Sequence, residues 1–164
     1  MSSIGRSHRH PDAVLGALAV LGVTAVVAAL ISQHVFGMEP CPWCVLQRVI
    51  FLAIALVCLV GLAWRARAGQ RAAGALVLLL AAGGVAAALW QHFFAAASAS
   101  CNLTLADRIV GATKLDTLLP DVFSARASCA DAAVNLAGMP YEFWSLLLFL
   151  VAAAAGWRLM RRVD

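Results

Sequence analysis

The residues with the clearest capacity for covalent chemistry are Cys41 and Cys44, which are separated by Pro42 and Trp43. A Cys-x-x-Cys loop is short, and such pairs tend to alternate between dithiol and disulfide instead of serving as permanent crosslinks. Pro42 suits the first turn of a helix, where free backbone N–H groups and the helix dipole would stabilise a Cys44 thiolate. The stretch therefore predicts a redox-active thiol pair. A static disulfide, or half of a zinc site completed by other cysteines, is the alternative interpretation.

Three further cysteines lie in two different settings. Cys101 and Cys129 occupy a long polar segment, and in an oxidising compartment they should pair. That pair would be either a structural crosslink or a second redox centre, and the residues by themselves leave both open. Arg126 lies three positions before Cys129, and its charge is expected to make Cys129 the better leaving thiolate of the two. Cys58 lies inside an apolar run and is expected to be a small buried hydrophobic residue.

Four polar residues lie where they could serve the same chemistry. Arg48 follows Cys44 by four positions, so the two share a helix face, with Arg48 about 6 Å deeper. Its charge would stabilise an anion beside Cys44, or its side chain would reach back to the membrane interface. Gln47 either donates a hydrogen bond to the same group or simply packs. Gln91 and His92 either line a polar head-group pocket or lie at the interface.

The elements that position these residues are membrane helices. The hydrophobic fraction is 63%, the charged fraction 12% and the mean hydropathy +0.90, so a soluble domain of this size could not bury the apolar surface. Four stretches approach the roughly 20 residues that span a bilayer, and Gly83-Gly84 in the third favours close helix packing. They cover approximately residues 13–31, 45–64, 72–94 and 143–157. The prediction is an all-α membrane protein, a four-transmembrane-helix bundle, with residues 1–164 forming one integral membrane domain.

The distribution of basic residues predicts the orientation of the bundle. Arginines cluster before the first span, between the second and third, and after the fourth: Arg6, Arg9, Arg65, Arg67, Arg71, Arg158, Arg161 and Arg162. These segments are therefore expected to be cytoplasmic, and the loops at residues 32–44 and 95–142 to face outward, which in a bacterium is the periplasm. This placement accounts for the net charge of +4 without a nucleic-acid partner. In the long loop, residues 103–110 and 115–123 form either short amphipathic helices on the membrane surface or an irregular ordered loop.

Several motifs together resemble the DsbB family of disulfide bond formation proteins. They are Cys-Pro-x-Cys followed by Val-Leu-Gln-Arg, then Leu-Leu-Pro-Asp-Val-Phe before Ser128-Cys129-Ala130, and Leu-Ala-Gly-Met-Pro140 with Trp144-Ser145. The resemblance covers essentially the whole chain. It departs from the family at residues 85–89, where an arginine often found before Gln91 is replaced by apolar residues. It departs again at Asn135-Leu136, where the family often has an aromatic residue.

The resemblance implies a four-span fold with cytoplasmic termini in the bacterial inner membrane, and an oxidoreductase activity. The pair Cys101–Cys129 would be reduced by the periplasmic thiol oxidase DsbA, and Cys41–Cys44 would then reoxidise it. Cys44 would pass electrons to a membrane quinone, ubiquinone or menaquinone, beside Arg48 and Gln91. The implied enzyme is a protein-disulfide:quinone oxidoreductase that sustains periplasmic disulfide formation.

Two other functions fit parts of the sequence. A quinone reductase of the vitamin K epoxide reductase type also uses four helices and two cysteine pairs. In that family, however, the loop pair precedes the Cys-x-x-Cys pair, whereas here Cys-x-x-Cys comes first. A non-enzymatic membrane scaffold with structural disulfides is the third interpretation, and its cysteines would stay oxidised in the presence of reduced DsbA.

Overall fold

The computed structural model describes residues 4–95, 104–136 and 138–162, and within them four long helices form a bundle. These helices are α1 (Ile4–Phe36), α2 (Pro42–Ala63), α3 (Arg67–Trp90) and α7 (Tyr141–Arg162). Four segments are long and apolar enough to cross a membrane: Pro11–Phe36, Pro42–Ala63, Arg67–Ala95 and Tyr141–Arg161. The predicted four-helix membrane architecture is therefore confirmed.

The helices differ from the predicted apolar stretches mainly at their ends. α1 continues to Phe36 and α2 begins at Pro42, so the first loop is shorter than the predicted residues 32–44. α3 is followed directly by one turn of π-helix, Gln91–Ala95. Polar residues at a span end can remain helical because their backbone hydrogen bonds are still made within the helix. Hydropathy therefore locates the lipid-facing part of a helix better than its last residue.

The start of α2 is fixed by its own sequence. Cys41 is the N-cap, in an extended conformation, and its sulfur accepts a hydrogen bond from the Cys44 backbone N–H at 3.3 Å. Pro42 occupies the first turn, where a missing N–H costs nothing because that group has no partner within the helix. Gly37 follows the last residue of α1 directly and has φ of +66°, a left-handed conformation that glycine adopts without a Cβ clash. The Cys-x-x-Cys pair thus lies on a helix N-terminus.

The second loop carries three short helices, which confirms the helical alternative for this segment. They are α4 (Leu105–Thr113), α5 (Leu115–Leu118) and α6 (Pro120–Phe123). α4 begins with a capping box, in which the Thr104 side chain and Asp107 exchange hydrogen bonds with each other's backbone. Its buried residues Ala106 and Val110 join Trp43 and Val45 of α2 in one apolar cluster. The loop therefore folds onto the bundle at the end that carries Cys41, called here the cysteine end.

The helices pack closely where small residues meet large ones. α3 packs most extensively against α7, and α2 lies between α1 and α3. A Cβ on Gly84 would collide with the ring of Phe149, which is itself stacked on Phe51 at a centroid distance of 4.1 Å. A Cβ on the neighbouring Gly83 would meet nothing within 4 Å. Of the two glycines in the predicted packing motif, Gly84 is the one in the helix interface.

α1 and α7 touch much less than α3 and α7, and a cavity opens between them at the cysteine end. A two-stranded antiparallel hairpin of β1 (Asn135–Leu136) and β2 (Met139–Pro140) leads directly into α7. Gly138 provides the positive φ, +81°, that this tight turn needs. The hairpin is anchored by the indole N–H of Trp144, which donates to the Leu136 carbonyl at 3.3 Å. The hairpin therefore forms part of the wall of the cavity.

Candidate active site

Three cysteines from different parts of the sequence meet at the cysteine end of α2. The sulfurs of Cys41 and Cys44 are 2.7 Å apart, and Cys41 also hydrogen-bonds to Cys129 of the second loop. Cys41 and Cys129 are buried, whereas Cys44 is partly exposed. The second loop is held there by the Pro40 carbonyl, which accepts hydrogen bonds from the backbone N–H groups of Arg126 and Ala127. Cys41 thus lies between the two other sulfurs.

Cys41 and Cys129 have opposite electrostatic environments. The hydrogen bond that Cys41 makes with Cys129 raises the pKa of Cys41 far above that of an ordinary thiol, and burial raises it further. The same hydrogen bond holds the pKa of Cys129 below its usual value, with a smaller contribution from the Trp43 backbone. Cys129 is therefore the better thiolate and Cys41 keeps its proton. Arg126 was the expected source of this effect from sequence spacing, but its guanidinium instead binds Asp121 at 3.0 Å.

A pair of glutamines reaches Cys44 from the helix interior. Gln91 donates a hydrogen bond to the Cys44 sulfur at 3.3 Å, and Gln47 donates to the Gln91 side-chain oxygen at 2.8 Å. Both glutamines are 4% exposed, so neither bond competes freely with water. Gln47 thus reaches Cys44 only through Gln91. It fixes the Gln91 amide so that an N–H points at the sulfur, which favours a thiolate there.

Arg48 is buried at 5% exposure and joins three segments of the chain. Its Nη1 donates to the Gln33 side-chain oxygen and to the Val122 carbonyl, both at 2.8 Å, and its Nη2 lies 3.5 Å from the Ala29 carbonyl. Gln33 in turn donates to the Asp121 carbonyl at 3.2 Å. The guanidinium therefore makes its hydrogen bonds within the protein. It binds α6 of the second loop to α1 and α2, and its charge acts on Cys44.

The cavity between α1 and α7 adjoins these groups and has a volume of about 280 Å³. Cys44, Gln47, Arg48 and Gln91 form its polar wall. Small residues of α1, among them Ala25 and Ala28, together with Leu148 of α7 form much of the apolar remainder. This volume is close to about 300 Å³, the lower limit of the usual range for small-molecule pockets. An apolar lining with a few convergent polar groups is also typical of such sites. A planar ligand with carbonyl oxygens fits these donors, since Arg48 has five N–H groups and not all are used by its protein partners.

His92 does not line the cavity, but it binds a residue that does. Its Nδ1 lies 2.8 Å from a carboxylate oxygen of Glu142, which is 5% exposed and forms part of the cavity wall. Neither Glu142 nor Gln33 was predicted as a site residue from the sequence. The available signal for both was a polar residue at the very end of an apolar span, next to the predicted reactive end.

The two remaining cysteines are Cys58 and Cys101. Cys101 falls in residues 96–103, outside the described residues, so the structure does not locate it. Cys58 is fully buried in the apolar core of the bundle, together with Leu15, Ile54 and Val77. This placement agrees with the expectation that Cys58 is a packing residue.

A membrane four-helix bundle with a Cys-x-x-Cys pair on a helix N-terminus and a third cysteine in contact with it defines a membrane thiol–disulfide oxidoreductase. Comparisons with known proteins identify the family. The sequence profile of "Disulfide bond formation protein DsbB" matches residues 11–158. A protein named "Disulfide bond formation protein B" from Aromatoleum aromaticum is 38% identical over 145 residues, covering 82% of this chain and 87% of the relative. Proteins of the same name from Herminiimonas arsenicoxydans and Stutzerimonas stutzeri are each 34% identical, covering 85% and 88% of this chain and 89% and 93% of the relatives.

The chain therefore belongs to the DsbB family of membrane disulfide bond formation proteins, which are protein-disulfide:quinone oxidoreductases. The family is quinone-linked, and its role is to reoxidise DsbA with electrons passed to quinone.

Proposed function

We propose that this protein oxidises a DsbA-type periplasmic partner through Cys101–Cys129, transfers the electrons to Cys41–Cys44, and reduces a membrane quinone beside Cys44. The observation that carries the proposal is the contact of Cys129 with Cys41 on one side, while Cys44 lines the cavity on the other. Electrons entering from the second loop would therefore reach the cavity through two adjacent sulfurs.

The first exchange leaves a reduced pair in the second loop. Two electrons enter when the dithiol of DsbA becomes a disulfide and Cys101–Cys129 becomes a dithiol. The Cys129 thiolate then attacks the Cys41 sulfur of the Cys41–Cys44 disulfide, and Cys44 leaves as a thiolate. The Trp43 backbone, which bonds to the Cys129 sulfur whether Cys41 is a thiol or part of a disulfide, favours the Cys129 thiolate as nucleophile, and the Gln91 amide stabilises the leaving sulfur. Attack by Cys101 on the mixed disulfide restores Cys101–Cys129 and leaves Cys41 and Cys44 reduced.

The second exchange takes place in the cavity. A bound quinone supplies an acceptor for two electrons and two protons. Arg48 and Gln91 present N–H donors that would hold its carbonyl oxygen near Cys44, and the small side chains of α1 leave room for its ring. Cys41 and Cys44 return to the disulfide when their electrons leave. The residues fit ubiquinone and menaquinone equally, because both present carbonyl oxygens on a planar ring.

The orientation that accompanies this function places the cysteine end in the periplasm. Arg65, Arg67 and Arg71 lie at the α2–α3 connection, at the opposite end of α2 from Cys41. Because four spans bring both ends of the chain to that same side, the positive-inside preference makes it cytoplasmic. We therefore expect a multi-pass protein of the bacterial inner membrane with both termini in the cytoplasm.

The decisive experiment follows quinone reduction by purified protein supplied with reduced DsbA. The wild-type protein should turn over, and Cys44→Ser should not, because it lacks the sulfur that faces the cavity. Cys58→Ser is the matched control, since the same exchange at a site within the lipid-spanning core should retain turnover. Turnover by Cys44→Ser at the wild-type rate would refute the proposed electron path.

A further inference from the structure

The cavity contains a carboxylate for which sulfur exchange has no use. Glu142 lies in the first turn of α7, is 5% exposed, and lines the cavity together with Cys44 and Arg48. Taking a carboxyl group out of water is unfavourable unless it is hydrogen-bonded, and an ionisable residue in a membrane span commonly has a function.

Glu142 is linked to the surface through one side chain. His92 Nδ1 is 2.8 Å from the Glu142 carboxylate, and 32% of the His92 side chain is exposed. The imidazole is held edge-on by two aromatic rings, Phe93 at 4.9 Å and Phe143 at 4.7 Å between centroids. Imidazole can accept a proton at one nitrogen and release one from the other. The arrangement connects a buried carboxyl group in the cavity with the exterior of the cysteine end.

Proton balance shows where such a group is needed. Reduction of a quinone to a quinol takes two electrons and two protons. When Cys44 is a thiolate and Cys41 a thiol, formation of their disulfide releases two electrons but only one proton. The second proton must come from another group at the cavity. Cys44 leaves the first exchange as a thiolate and carries no proton, so that group supplies the proton that Cys44 lacks.

We propose that Glu142 delivers this second proton to the quinone oxygen and that His92 positions Glu142 and returns a proton to it from the aqueous side. In balanced form, a Cys41 thiol, a Cys44 thiolate, a protonated Glu142 and a quinone give a disulfide, a Glu142 carboxylate and a quinol. One proton from water, passing through His92, then restores Glu142. This inference rests on the proposed quinone reduction.

The other titratable groups at the cavity are less suited to this step. Glu39 lines the cavity from the first loop but is exposed, and Tyr141 carries a phenol, which is a far weaker acid than a carboxyl group. Arg48 does not release its proton in proteins. α1 contributes only alanines and Ser32 to the wall. Glu142 is the carboxyl group that is both buried and coupled to an exposed imidazole.

The test uses full-length protein in detergent with decylubiquinone as the probe, in single turnover from reduced DsbA. Glu142→Gln should slow quinone reduction on the order of 100-fold, as for loss of a general acid, and should flatten its pH dependence. Quinone affinity, measured by quenching of tryptophan fluorescence, and DsbA oxidation in the first exchange should stay within about two-fold, because no sulfur contact is lost. Glu142→Asp should recover part of the rate.

A second readout needs no quinone and no turnover. The infrared difference spectrum between acid and alkaline samples should contain a buried carboxylic acid band that disappears in Glu142→Gln. The band should shift in His92→Gln if the imidazole is its hydrogen-bond partner, and an unshifted band would overturn the positioning role of His92.

Each other outcome of the kinetic test would overturn a specific part of the proposal. Wild-type rate and pH dependence in Glu142→Gln would overturn the proton role while leaving the proposed function intact, whereas absence of quinone reduction in the wild type would overturn the proposed function itself. Slowing in Glu39→Gln but not in Glu142→Gln would assign the proton to the exposed carboxylate. Loss of quinone affinity in both Glu142 variants would make Glu142 a binding group and not a proton donor.

Discussion

Arg48 is expected to hold the second loop in place as well as to serve the cavity, and the two roles can be separated by substitution. Arg48→Leu removes the bond from Nη1 to the Val122 carbonyl, which joins α2 to α6. Gln33→Leu leaves that bond intact and removes the weaker bond from Gln33 to the Asp121 carbonyl. It also removes the bond from Arg48 to Gln33, but that bond joins α2 to α1 and does not reach the second loop. Both variants replace a buried polar side chain by leucine, so they are matched in character.

The magnitudes follow from the kinds of hydrogen bond that are lost. A bond from a charged donor, here at 2.8 Å, contributes about 1.5–3 kcal/mol. Its loss should raise the population of undocked loop roughly 10- to 150-fold, at about 1.4 kcal/mol per factor of ten. The neutral bond from Gln33, at 3.2 Å, contributes about 0.5–1.5 kcal/mol, equivalent to roughly 2- to 12-fold. Arg48→Leu should therefore loosen the loop about ten times more than Gln33→Leu.

Amide hydrogen exchange measures this loosening directly. The backbone N–H groups of Val122, Phe123 and Ser124 are hydrogen-bonded within α6 and its flanks. They should exchange fastest in Arg48→Leu, more slowly in Gln33→Leu and most slowly in the wild type. His34→Leu, at an exposed position on the same end of α1, is the control and should exchange like the wild type. In kinetics, Arg48→Leu should also raise KM for quinone or lower kcat beyond the effect of Gln33→Leu, because it removes a charge from the cavity. Unchanged exchange in Arg48→Leu would refute the docking role, and unchanged quinone kinetics would refute the cavity role.

Three further predictions concern the cysteines and the helix interface. Cys41→Ala should slow alkylation of Cys129 at neutral pH in the reduced protein, measured by peptide mass spectrometry. The substitution removes the hydrogen bond that lowers the Cys129 pKa, so the pKa should rise and the thiolate should form only at a higher pH than in the wild type. An unchanged pH profile of alkylation would contradict this assignment. In the exchange with DsbA, Cys101 should form the mixed disulfide, because the Trp43 backbone favours a thiolate at Cys129 and so makes Cys129 the better leaving group. With Cys129 removed and a DsbA lacking its resolving cysteine, a complex through Cys101 should accumulate; a complex that forms only through Cys129, when Cys101 is removed, would reverse the roles. Finally, Gly84→Ala should destabilise the bundle by about 1–3 kcal/mol in detergent unfolding, because the new Cβ meets Phe149, whereas Gly83→Ala should be neutral or stabilising. Equal effects at the two glycines would show that the α3–α7 contact does not depend on this residue.

Several features of the protein could be predicted from the sequence because their causes are local. A membrane span depends on the number of consecutive apolar residues, and each of the four predicted stretches overlaps one of the four long helices over most of its length. The helix start at Pro42 depends on residues within one turn, so Cys44 could be placed on an N-terminus without any tertiary information. The burial of Cys58 follows from its position in the middle of an apolar run. The family motifs were also local, and they identified the reaction class.

Only the tertiary structure decided which distant residues meet. Gln33 and Asp121 are 88 positions apart, and Gln47 and Gln91 are 44 apart, yet each pair is hydrogen-bonded. The spacing of Arg126 before Cys129 suggested an ion effect, but folding pairs that arginine with Asp121 and brings the Cys41 thiol to Cys129. In the sequence, Glu142 is one of five acidic residues in the segment 95–142, and nothing there distinguishes it from the others. The packing of α7 beside α1 places it in a cavity with Cys44. Sequence patterns encode periodicity and hydrophobic length along one segment. The partners of a buried polar side chain are set by how several segments pack together, because each such group must find a hydrogen bond wherever the chain brings one within reach.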